Sequence, residues 1–341
     1  MDADIAQSPA TSPRIGLEVM RSDLSRMILA ALVEGTKTQT ELRTWLLLAS
    51  GTSLNHHLSN LRSLGLLARR RSKRERRRVD YGLSEAGEGL VEVIGLVQAW
   101  VGRHHTRRGE LSGPLGWRAF NVFADAWELS VLGTLLSEPR SRGDLLGGQL
   151  AIALGDEKLH RTLDVLLGAG LLEARGHRGG NRLHLTEWCR IGFGPLAATV
   201  RWERRYLAQG ATPVITRDAA LALEATLPLS RPEYGARGTC AFTIEARGER
   251  ARAVWARVAE GRVRDGGAGT PPGSPDAWAR GDVERWFAAV LDGDLSGLRL
   301  GGRTELASSV LGGLHHQLYV TEEPARMGTH TYSGDRADSR N

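Results

Sequence analysis

The run Arg69-Arg70-Arg71-Ser72-Lys73-Arg74-Glu75-Arg76-Arg77-Arg78 carries eight cations and one acid in ten residues. Like charges at that density repel one another unless a polyanion neutralises them, and arginine forks suit phosphate oxygens and narrow minor grooves. Just upstream stand Thr52, Ser53, Asn55, His56, Ser59 and Asn60, whose polar groups can address base edges and phosphates. This is chemistry of recognition rather than of bond making. The sequence contains no phosphate-cradling glycine loop, no Gly-x-Ser-x-Gly turn and no convincing carboxylate pair, so an enzyme is not expected. Cys189 and Cys240 are too few for a cysteine zinc site or a disulfide scaffold. His-His pairs occur at 56–57, 104–105 and 315–316. Adjacent helical positions diverge by about 100°, so such a pair is no chelate by itself. Neither metal nor cofactor is expected.

The elements that position these groups can be read from charge and periodicity. The chain has 341 residues and a net charge of +6. Residues 15–110 hold 16 basic and 10 acidic residues, 111–210 hold 12 and 10, and 211–320 hold 13 and 13. The basic excess therefore sits in the first hundred residues. No apolar run approaches the roughly 20 residues of a bilayer span. The start, MDADIAQSPATSP, lacks the features of a secretory signal. A cytoplasmic protein without membrane contact is expected.

An internal repeat organises the chain. Leu58-x-x-Leu61-x-x-x-Gly65-Leu66-Leu67 returns at an offset of 105 as Leu163-x-x-Leu166-x-x-x-Gly170-Leu171-Leu172. Leu83-Ser84-Glu85 returns at an offset of 102 as Leu185-Thr186-Glu187. In the first copy Met20, Leu24, Met27, Ile28 and Leu32 have the spacing of one helix. Thr38 to Glu41 reads as a capping box opening a second helix through Ala49. Gly51 is expected to stop it, and Thr52 or Ser53 to cap a third helix with Leu54, Leu58 and Leu61 inward. A hairpin follows from Leu66, returning through Val79, Tyr81 and Leu83, and residues 86–102 form a closing helix. The second copy reads alike: a helix on Ala126, Leu129, Leu132 and Leu136, a cap at Ser141, a break at Gly155-Asp156, a hairpin from Leu171 to Leu185, and a helix near 195–208.

Three helices, a basic hairpin and a closing helix resemble the winged helix-turn-helix domains of bacterial regulators. The resemblance is to the HxlR type within the MarR and ArsR-like group, carried by the repeat above, by Arg78-Val79-Asp80-Tyr81-Gly82-Leu83-Ser84-Glu85-Ala86-Gly87 and, in copy two, by Asp125-x-Trp127. It implies a tandem pair of such domains on double-stranded DNA, with the third helix of copy one reading and Arg69 to Arg78 as its wing. In copy two, Lys158 and Arg161 on the third helix and Arg175, Arg178 and Arg182 on the wing are the candidate contacts. Asp156, Glu157 and Asp164 share that outward face and oppose phosphates, so copy two is either a weaker reader or an assembly element. The aromatic stripe Trp117, Phe120, Phe123 and Trp127 is expected in an interdomain or dimer core, and a homodimer is one assembly considered.

Residues 213–320 change character. Gly238–Glu245 and Arg252–Val258 alternate as strands. Asp265–Pro275 reads as a glycine and proline linker, and a helical stretch at 282–293 precedes a last helix. This part resembles the C-terminal portion of sterol-carrier-protein-like domains, which implies a small α/β layer around an apolar cavity. Phe242, Trp255, Trp278, Trp286 and Phe287 are its candidate ligand-binding residues, and an apolar small molecule its candidate effector. The expected organisation is mainly α with β-wings: a disordered tail at 1–14, winged helix-turn-helix domains at 15–110 and 111–210, a small α/β domain at 211–320 and a disordered tail at 321–341. The function expected is a DNA-binding transcription regulator. The alternative is a small-molecule carrier or sequestering protein that binds nucleic acid nonspecifically.

Overall fold

Ser22 divides the first helical run in two. The computed structural model describes residues 15–47, 51–71, 79–108, 119–121, 126–177, 180–207, 216–248 and 250–319; both expected tails lie outside them. Helix α1 spans Ile15–Arg21 and α2 spans Asp23–Val33. Ser22 is extended and its hydroxyl accepts the Ser25 amide at 3.2 Å, an N-cap where periodicity alone predicts one continuous helix. Met20, Ile28 and Leu32 are buried, whereas Met27 is 41% exposed.

The Thr38 capping box forms. Its hydroxyl accepts the Glu41 amide at 3.1 Å, and the Glu41 carboxylate accepts the Thr38 amide at 2.6 Å. A two-residue strand β1 (Lys37–Thr38) leads into α3 (Gln39–Trp45), which ends short of the expected Ala49. Helix α4 runs Gly51–Ser63, so Gly51 opens the third expected helix instead of stopping the one before it. Strands β2 (Leu67–Arg71) and β3 (Val79–Leu83) make the hairpin, in sheet order β1-β3-β2, and α5 (Glu85–Arg108) closes the unit.

Residues 126–206 repeat this order, with one more short helix ahead of the last one before the hairpin. They form α6 (Ala126–Ser137), β4 (Arg140–Ser141), α7 (Arg142–Leu146), α8 (Gln149–Leu154), α9 (Asp156–Gly168), β5 (Leu172–His177), β6 (Gly180–Leu185) and α10 (Glu187–Tyr206). Their sheet order is β4-β6-β5. The repeat reaches single bonds. Leu66 N donates to Leu61 O at 2.9 Å and Ser84 N to Leu66 O at 3.0 Å; Leu171 N to Leu166 O and Thr186 N to Leu171 O follow, both at 3.0 Å. Gly65 and Gly170 sit at φ of 75° and 74°, left-handed positions that end the third helix of each copy and favour glycine. Helix α10 starts at Glu187, eight residues before the position expected. Thr186 caps it by accepting the Cys189 amide, and Pro195 lies inside it rather than at its start.

The two closing helices pack together. Trp100 Nε1 donates to Trp188 O and Trp202 Nε1 donates to Ala86 O, both at 2.8 Å. Under the offset of 102 these bonds exchange, so the halves are related as by a two-fold axis. Each half also sends an arm across. Gly16 N of α1 donates to the buried Glu203 of α10 at 2.7 Å, and Phe120 packs edge-on against Trp100 of α5 with ring centroids 6.4 Å apart. Of the expected aromatic stripe, Phe120 thus lies at the seam. Trp117 and Phe123 are outside the described residues, and only the backbone is described at Trp127.

The third unit is a five-stranded sheet in order β11-β10-β7-β8-β9. The strands are β7 (Gly238–Glu245), β8 (Arg252–Ala259), β9 (Arg262–Ala268), β10 (Ala277–Asp282) and β11 (Arg299–Gly302). Only the β7–β10 pairing is parallel. The first four residues of the expected linker, 265–268, are therefore strand. Gly266 fits there because a Cβ would come within 2.6 Å of Trp255 O. Helices α11 (Thr216–Thr226), α12 (Val283–Phe287, continued by a π turn to Asp292) and α13 (Thr304–Tyr319) accompany the sheet. The buried cluster here includes Phe242, Ile244, Val254 and Ala279 of the sheet with Leu223 of α11, Trp286 of α12 and Leu314 of α13.

Candidate nucleic-acid interface

Leu54, Leu58 and Leu61 anchor α4 in the core, each no more than 2% exposed. That fixes the rotation of the helix and leaves Thr52, Asn55, His56, Ser59 and Asn60 exposed, with Ser53 half-buried. His57 turns the other way: its Nδ1 lies 3.0 Å from Oγ of the buried Ser25 on α2. Burial first, and the neighbouring His56 second, hold the His57 pKa below its ordinary value, which favours the neutral ring. Asn55 Oδ1 accepts from Gln39 Nε2, which braces α4 against the start of α3.

The wing rises from β2 and β3, where Arg69 faces Tyr81, Arg70 faces Asp80 and Arg71 faces Val79. Arg69 is exposed, and the backbone alone is described at Arg70 and Arg71. Lys73, Arg74, Arg76, Arg77 and Arg78 lie outside the described residues.

In the second copy Lys158 and Arg161 are exposed on α9, as are Asp156, Glu157 and Asp164. Arg161 pairs with Glu157 at 2.8 Å on its own helix. Asp164 is paired by Arg142, at 2.6 Å, and Arg142 also donates to His160 O at 3.0 Å. Arg142 has no place in the sequence-based expectation. It and Gln39 each follow the cap of a capping box, and each reaches the helix before the hairpin of its own copy, α9 and α4; aligning the two boxes would have exposed the pair. On the wing, Arg175 is tied to Glu173 at 2.5 Å and Arg182 to Pro139 O at 3.4 Å, while Arg178 lies outside the described residues.

The five aromatics expected to bind a ligand do not gather. Trp286 and Phe287 line an apolar cavity of about 60 Å³ between α10, α11, α12 and α13. Phe242 lies behind Trp286, edge-on with centroids 5.9 Å apart. Trp255 and Trp278 are on the opposite face of the sheet. Phe242 pairs with Val254 and Ala279, so the residues next to those point away from it. Trp278 instead lies over Gly301, where a Cβ would come within 2.2 Å of its ring.

Cys189 is fully buried, and burial pushes its thiol up; burial pushes that of Cys240 up to about 12. Neither is poised as a thiolate at neutral pH. Among the described residues no three His, Cys, Asp or Glu side chains converge on a metal position. No helix among them is long and apolar enough to cross a membrane.

A capped helix pair, a leucine-anchored third helix with a polar outer face, and a basic hairpin define a winged helix-turn-helix. Residues 21–108 match the HxlR-like helix-turn-helix family. Such a domain implies DNA binding and points to a transcription regulator. The matched segment ends within the first half of the chain. No curated protein matches the chain.

Proposed function

We propose that the chain regulates transcription by reading duplex DNA with α4 and gripping its backbone with the wing at 69–78. The observation that carries this reading is the outer face of α4. There Thr52, Asn55, His56, Ser59 and Asn60 stand exposed beside the most basic segment of the chain, inside the stretch that matches the HxlR-like family. Asn60 and His56 read base edges, and hydroxyls and wing arginines hold phosphates.

Residues 111–210 act as a second winged helix-turn-helix. The repeated element order and sheet order support this, as do the exchanged tryptophan bonds. Its grip through Lys158, Arg161, Arg175, Arg178 and Arg182 is the weaker one, because Arg161 and Arg175 are already paired to carboxylates. Residues 211–320 act as a sterol-carrier-like unit that holds an apolar effector and biases the DNA-competent arrangement. An effector does so only by binding two arrangements unequally.

The test is selection of bound sequences from a random duplex pool at fixed salt, followed by titration against unselected DNA. A regulator enriches a motif and binds it at least about 1,000-fold more tightly than random sequence, the lower end of specific recognition. Absence of enrichment, with equal affinity for all duplexes, would leave a carrier with nonspecific nucleic-acid affinity.

A further inference from the structure

The cavity between α10 and the third unit has a position that bears on both DNA-reading halves. Gly194 and Ala197 of α10 form one wall, Ala222 and Thr226 of α11 another, and Trp286 and Tyr319 add to the lining. Its volume of about 60 Å³ exceeds several-fold the roughly 10–15 Å³ that one water needs. Its polar side chains have no proton to offer. Thr226 Oγ1 donates to Ala222 O at 2.8 Å, Tyr319 OH to Gly194 O at 3.0 Å, and Trp286 Nε1 to Thr243 O at 3.1 Å. A space that offers water no donors and is walled by alanine, leucine and aromatic rings favours apolar matter.

The same turn of α10 that walls this cavity also seats the other half. A Cβ on Gly192 would come within 2.9 Å of Trp100, so α10 and α5 touch there with no slack. Two residues along, a Cβ on Gly194 would stand 3.5 Å from Leu318 and Tyr319, so α13 passes close by. Pro195 removes one donor from the helix ladder at this turn. Two ion pairs fasten the next turns of α10 to the cavity's far wall, Arg201 to Asp292 and Arg204 to Glu284. Matter filling the cavity therefore bears on the helix that sets how the two halves face each other.

We propose that this cavity is an effector site for a small, neutral, apolar molecule, and that its occupancy changes DNA affinity through α10. The site stands on the cavity itself; the effector role rests on the DNA-regulator reading above. The probe is benzene, with benzoate as the charged control, on the full chain. Benzene raises the melting temperature and benzoate does not. In a salt-controlled titration benzene changes affinity for duplex DNA by threefold or more. Ala222→Leu fills the cavity and abolishes both responses; Ala197→Leu serves if the first variant does not fold. Absence of a melting shift with benzene overturns the site. A melting shift with unchanged DNA affinity overturns the effector role. A melting shift in a chain that binds no duplex at all supports the site and refutes the regulator reading instead.

Discussion

Trp100 and Trp202 hold the same station in opposite halves. Each gives its indole N–H, at 2.8 Å, to the carbonyl of the residue that follows the opening glutamate of the other half's closing helix. Trp188 adds an unequal element. It stacks on Trp100 with centroids 4.4 Å apart and returns a bond to Trp100 O at 2.9 Å, where the first half has only Ala86. The seam is thus two-fold in one pair of hydrogen bonds and one-sided in the Trp188 bond and its aromatic packing.

Truncating Trp100 should expose that dependence. It is 2% exposed, and Trp100→Ala is expected to cost about 3–5 kcal/mol, the range for large aromatic deletions. Trp202→Phe should cost about 1 kcal/mol by removing one hydrogen bond. Urea denaturation of the two variants checks both values. A Trp100→Ala protein as stable as the parent would mean that the halves do not depend on this residue.

Neutralising the wing should weaken all DNA alike. With Arg74, Arg76 and Arg77 changed to Gln, the slope of log affinity against log salt should fall by about 0.9 for each phosphate no longer neutralised. Titrations between about 50 and 200 mM salt measure it. An unchanged slope would remove the wing from the interface.

Helices α4 and α9 should differ in their weight on DNA. His56→Ala or Asn60→Ala is expected to cost about 1–3 kcal/mol on the selected site and to spare random DNA. Lys158→Ala with Arg161→Ala should cost less, since Arg161 is already paired to Glu157. Arg142→Ala should weaken binding further by releasing Asp164 toward the phosphates. Equal effects from both helices at one salt concentration would make copy two a full reader.

Acidification should loosen the first half. The folded state holds the His57 pKa below its ordinary value of 6.5, so the unfolded chain binds the proton more readily. Stability is therefore retained above that value and declines as pH falls below it toward the folded pKa. His57→Gln should flatten this part of a stability profile between about pH 7.5 and 5.5. A profile identical to the parent's would clear His57 of the effect. His184, also lowered by burial, is the residue to change next.

What the sequence makes legible is local. The Thr38 and Ser141 capping boxes form because their partners lie three residues away. The leucine stripe of α4 sets its outer face by period alone. The helix expected near 195–208 begins earlier because Thr186, accepting the Cys189 amide, caps it at Glu187. Gly266 hides β9, since its reason is the neighbouring strand. Trp255 and Trp278 fall on the wrong face for a shared pocket because register, not composition, assigns a strand residue its side. Arg142 and Asp164 are 22 residues apart, and only the fold brings them together.

The crossing arms and the tryptophan seam join halves of one polypeptide. In a pair of identical chains every substitution is made twice, and each half must remain its own mirror. Here a change on α9 is made once. The outer faces of α4 and α9 are free to differ in charge while the seam between α5 and α10 stays fixed. The halves also meet at a concentration set by their tether and not by the number of molecules in solution, so their pairing survives dilution.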